Sequence, residues 1–88
     1  MVIQYSQRTT HNGREGRMYT VSAKVKVGSL VGPTNGEKVA KNKAKFWVAL
    51  SERDLEPQRL EAVEVRETQT EYFSINREFE VKVFRPYD

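Results

Sequence analysis

Apolar and polar residues alternate most clearly from Arg17 to Val27, where Tyr19, Val21, Ala23, Val25 and Val27 share one face and Thr20, Ser22, Lys24 and Lys26 the other. A period of two with one apolar face is the mark of a half-buried β-strand. Val2 to Thr9 reads as a strand before it, and the intervening Asn12-Gly13, with Gly16 further on, offers the positive φ angles that a tight reversal needs. The first unit is therefore a β-hairpin. Ala62 to Thr68 alternates again through Val63 and Val65, and Phe79, Val81 and Val83 repeat the pattern before Arg85-Pro86 closes it.

Two stretches lack that clarity. Residues 28–37 hold three Gly and one Pro and read as a loop. Residues 38–50 support two readings: Val39, Ala40, Ala44, Trp47 and Val48 form a helical stripe, with Thr34 and Glu37 spaced as a capping box, whereas Ala44, Phe46, Val48 and Leu50 alternate as a strand. The strand, over about 44–50, is the reading adopted, and Trp47 is read separately as a core residue, with an exposed contact as the alternative. Ser51 to Leu60 contains Pro57 and several acids, and serves as a connector with at most one helical turn. Five short strands separated by turn signals predict an all-β fold, a small antiparallel barrel.

A chain of 88 residues makes one domain, residues 1–88, with a core too small to leave much margin over conformational entropy. With no cysteine to cross-link it, the expected source of extra stability is a second subunit. The absence of cysteine also removes thiol chemistry, and the single histidine, His11, cannot build a metal site alone, so no cofactor and no enzymatic activity are expected. Glu61, Glu64, Glu67 and Glu71 read as a solvated strand face. The longest apolar run, Phe46 to Leu50, is far too short to span a bilayer, and the N-terminus lacks a secretory pattern, so a cytoplasmic location is expected.

Charge is segregated along the chain. Residues 1–45 carry nine Lys/Arg against two acids, a balance of +7, and residues 46–88 carry six against ten, a balance of −4. The basic half points to an anionic partner unless opposite charges pair across neighbouring strands. The hairpin concentrates the positive charge, with His11, Arg14 and Arg17 near the tip and Arg8 and Tyr19 on the flanking strands. Guanidinium groups bind phosphate oxygens and an aromatic on a strand can stack on a base, so the pairing suits a nucleic acid. Lys43 and Lys45, following Lys38 and Lys41 and preceding Phe46-Trp47, would extend such a groove, and contact to DNA there is the alternative to a core position for Trp47.

The run Thr9-Thr10-His11-Asn12-Gly13-Arg14-Glu15-Gly16-Arg17-Met18-Tyr19-Thr20 resembles the hairpin of the single-stranded-DNA-binding proteins of filamentous bacteriophages, shortened by about two residues after Gly13. The remaining resemblance is one of layout. It implies an OB-like five-stranded barrel with protruding hairpins, a two-fold homodimer, and cooperative, sequence-tolerant coating of single-stranded DNA, with messenger RNA as a further target. Carried over by motif, Arg14 and Arg17 would contact the DNA backbone and Tyr19 would stack on a base. His11 stands where the family has another cation, Phe73 where a second loop carries an aromatic, and Glu80 near a basic position whose role passes to Lys82. Alternation would instead turn Tyr19 inward with Val21 and Ala23. The rival function is a protein-interaction module or inhibitor that sets the same cations against an acidic host surface.

Overall fold

The computed structural model describes residues 2–26, 33–52, 55–70 and 76–87. Strand β1 (Val2–His11) turns through Asn12 and Gly13 into β2 (Arg14–Lys26), then follow helix α1 (Pro33–Ser51), a 3₁₀ turn η1 (Pro57–Arg59), β3 (Glu61–Thr70) and β4 (Asn76–Pro86). The described strands form one open sheet in the order β1-β2-β4-β3, every neighbouring pair antiparallel. The five-stranded barrel expected from the pattern is not formed: this is a four-stranded sheet with a helix packed on one face.

The hairpin forms as its residues dictate. Asn12 and Gly13 have φ of 51° and 76°, so a two-residue turn joins the strands with His11 opposite Arg14. Gly16 takes no part in that turn. It is buried within β2 opposite Thr9 and Pro86, where a Cβ would strike the Arg85 carbonyl oxygen and come within 2.6 Å of the Phe84 ring.

The largest departure is residues 44–50, expected as a strand and found as the end of α1. Pro33 stands at the first helical position, where its missing N–H costs nothing and its φ already suits a helix. Ala40, Ala44 and Val48, four residues apart, are fully buried against the sheet, whereas Phe46 and Leu50, which a strand would have placed in the core, are 60% and 74% exposed. Helical periodicity wins because it buries one continuous stripe, and small alanines let the helix lie close over β2, β4 and β3. Opposing them are Tyr19, Val21, Ala23 and Val25 from β2 and Phe79, Val81 and Val83 from β4. Trp47, expected in the core, is 39% exposed.

The other face of the sheet is open and polar. Lys24 pairs with Glu78, Arg66 with Glu80, and Lys82 with Glu64, so much of the charge there is matched across neighbouring strands. Register irregularities in β3, between Ala62 and Glu64 and between Glu67 and Gln69, break its simple alternation. In consequence Glu67 leaves the solvated acidic face. It lies opposite Phe79 and accepts from the Arg77 Nε at 2.8 Å, while the Arg77 guanidinium stacks 5.0 Å from the Phe79 ring.

Candidate nucleic-acid interface

Tyr19 faces the helix, as its alternation with Val21 and Ala23 requires, and is only 3% exposed. It therefore presents no ring for a base to stack on, which corrects the role carried over by resemblance. Its hydroxyl donates to Glu52 Oε1 at 2.5 Å, and Arg85 Nη1 donates to Glu52 Oε2 at 3.1 Å. The trio fastens the end of α1 to β2 and β4. Burial pushes the Tyr19 phenol above its ordinary value of 10, and donation to Glu52 adds to the rise while Arg85 opposes it. A raised value favours the neutral phenol in the folded state, so its contribution to stability is complete below pH 10 and is lost as pH rises through the folded value. In alkaline titration Tyr19 should form phenolate above its ordinary value, and Tyr19→Phe should remove that late component and flatten the fall in stability above pH 10. A titration curve unchanged at high pH by Tyr19→Phe would contradict this geometry.

The other hairpin cations divide. Arg14 is exposed and makes no ion pair among the described residues, while the Arg8 guanidinium lies 5.6 Å from the Tyr87 ring. Arg17 points to the helix side and donates to Ser6 Oγ at 3.1 Å. His11 leans against Phe84, with ring centroids 5.3 Å apart, and its Nε2 lies 4.0 Å from Glu61. Lys24 and Lys82 are the partners of Glu78 and Glu64 on the open face, which leaves them poorly placed to act as unmatched cations. The side chain of Lys26, and Phe73 with its neighbour Tyr72, lie outside the described residues.

A different surface gathers unmatched charge with accessible rings. Along α1, Lys38 and Lys43 are exposed and Lys41 and Lys45 half-buried, and none of the four makes an ion pair among the described residues. Phe46 and Trp47, both accessible, lie one turn from Lys43, with Leu50 one turn beyond Phe46, whereas Lys41 and Lys45 lie along the other flank of the helix. The adjacency of lysines and aromatics was visible in the sequence, but only the helix shows that the rings face outward.

The hairpin tip also overhangs η1. Between them lies a recess of about 390 Å³ lined by His11, Asn12 and Arg14 on one side and by Gln58 and Arg59 on the other, with Phe84 and Glu61 completing it. Gln58 and Arg59 carried no signal in the sequence beyond lying in a polar connector.

Comparison with known protein families, with curated proteins and with solved structures gave no match for this chain. Among the described residues no helix is long and apolar enough to cross a membrane, and no three His, Cys, Asp or Glu side chains come together as a metal site.

Proposed function

We propose that the protein binds single-stranded nucleic acid with little sequence preference, using the outward face of α1 as its main platform. One observation carries this reading: Phe46 and Trp47 are both accessible one helical turn from Lys43, while Lys38, Lys41 and Lys45 line the other flank of the helix and no acidic side chain falls between positions 38 and 51. Every base has a flat π face, so exposed rings accept bases regardless of sequence, and lysines beside them neutralise the phosphates. The exposed Arg14 adds a cation at the hairpin tip. Duplex DNA keeps its bases stacked and would lose the aromatic part of the contact.

Trp47 is the only tryptophan, so its fluorescence reports directly on the platform. Titration with poly(dT) should quench it, and log K should fall with log salt by about 0.7 per phosphate neutralised, a slope near −2 to −3 for three or four contacts. Followed by anisotropy of a labelled strand, Trp47→Ala should lose about 1 to 3 kcal/mol with the slope kept, whereas Lys43→Ala should reduce the slope by about one contact. An unchanged Trp47 emission with a flat salt response, or equal affinity for duplex, would overturn the proposal.

A second reading is favoured by Leu50, whose 74% exposure adds aliphatic surface that base stacking does not use. The same cationic and apolar face would suit an acidic protein partner. Leu50→Ser separates the two, because it should leave poly(dT) affinity unchanged and weaken only protein docking.

A further inference from the structure

The recess between the hairpin tip and η1 is a second place where the molecule assembles binding groups, and neither Phe46 nor Trp47 lines it. Its volume of about 390 Å³ falls in the range of small-ligand sites. Three separate parts of the chain build it: the β1–β2 turn, the η1–β3 junction, and the end of β4. The turn is held in place by Asn12 and Gly13, and the end of β4 is held to it by the bond from the Tyr87 N–H to the Glu15 carbonyl oxygen at 2.9 Å.

The chemistry of the lining is specific. Arg14 and Arg59 bring guanidinium groups from different elements, and planar, permanently charged forks of this kind match the oxygens of a phosphate group. Among the described residues the lining holds one carboxylate, Glu61, which lies 4.0 Å from the His11 imidazole. The lining also holds a ring surface, His11 tilted at 55° on Phe84, which offers a flat ligand an aromatic wall. Asn12 and Gln58 each carry both a donor and an acceptor, and Gln58 spends its amide N–H on Glu56 at 2.9 Å while its carbonyl oxygen makes no hydrogen bond among the described residues. A phosphate at the cationic mouth, a flat ring against His11 and amides at its edge together describe one kind of molecule.

We propose that this recess binds a nucleoside monophosphate, the phosphate held by Arg14 and Arg59 and the base lying against His11. The site goes beyond the α1 platform, since a free mononucleotide could occupy it whether or not a strand binds the helix.

The experiment is an amide NMR titration of the intact chain with thymidine monophosphate, thymidine and inorganic phosphate. The nucleotide should shift amides confined to residues 11–14, 58–61 and 84–86. Arg14→Ala should weaken it at least about tenfold, as expected for loss of a charge-assisted hydrogen bond, and Arg14→Lys should restore part of the affinity. Arg14 is exposed on the turn, so its removal leaves the fold intact, and the unperturbed remainder of the spectrum checks this. Inorganic phosphate binding as tightly as the nucleotide would overturn the base contact, thymidine binding as tightly would overturn the phosphate contact, and no shift at these amides at millimolar nucleotide would overturn the site. Trp47 quenching by poly(dT) is read separately, so failure of the recess and failure of the α1 platform are distinguishable.

Discussion

Tyr19→Ala should lose about 3 to 5 kcal/mol of folding stability, the usual range for truncating a large buried aromatic. A chain of this length is stable by roughly 4 to 13 kcal/mol in all, so the variant should melt at least about 12 °C lower and be partly unfolded at ordinary temperatures. The ring fills space between β2 and the end of α1, so its removal leaves a cavity and also strips Glu52 of one of its two partners. Tyr19→Phe keeps the ring and removes only the hydroxyl. It should cost about 1 to 2 kcal/mol, at the lower end for a hydrogen bond to a charged group because Glu52 is partly solvated and retains Arg85. Calorimetry on both variants, with poly(dT) affinity measured on the folded fraction, is the check. A stable Tyr19→Ala protein with weakened DNA binding would mean that the ring faces solvent and that the placement of α1 is wrong.

The second large effect is expected at Gly16. Gly16→Ala should destabilise the protein by about 1 to 3 kcal/mol, the cost of overpacking, or more, because the nearest atom is a backbone oxygen and not the far end of a flexible side chain. The Phe84 ring is nearly completely buried on the otherwise polar face, and it reaches that position by passing over the bare Cα of Gly16. A methyl group there would push the end of β4 away from β2 and disturb the contact of His11 with Phe84. Gly13→Ala makes a useful comparison, since nothing crowds that position and only its φ of 76° resists a side chain. If Gly16→Ala melted with the parent protein, the close approach of β2 and β4 at this point would be disproved.

The strands were legible in the sequence because their signal is a simple one. Period-two alternation at Tyr19, Val21, Ala23 and Val25 and at Phe79, Val81 and Val83 appears in the sheet as read, and so does the Asn12-Gly13 turn. The helix was obscured for two physical reasons. Its lead-in, Gly32-Pro33-Thr34-Asn35-Gly36, has the composition of a loop, although a proline in the first turn fits a helix well. Its buried stripe is mostly alanine, which weighs little in any hydrophobic pattern, while the bulkier Phe46 and Leu50 happen to alternate with Ala44 and Val48. Counting that segment as a strand supplied the fifth member of a barrel. The strand reading also hides the α1 platform, since it turns Phe46 inward with Ala44 and Val48, and Trp47 is expected in the core. The inward position of Tyr19 was legible, and alternation outweighed the motif that suggested an exposed stacking ring. The recess was not legible, because residues 11–14, 58–61 and 84–86 meet only through the pairing of distant strands.

Among the described strands β1 and β3 form the two edges of the sheet, and they are not equally defended against association. β3 carries two register irregularities and a row of charged residues through Glu64, Arg66 and Glu67, features that twist an edge and discourage a foreign strand. β1 has one irregularity, near its start, and beyond it runs regularly through Ser6, Gln7, Arg8, Thr9 and Thr10, with a single charge. Backbone groups on that side repeat evenly enough to template an additional strand. A foreign strand added to this sheet is thus expected at β1 rather than β3, and a proline or a lysine in the middle of β1 is the change expected to block it without touching α1 or the recess.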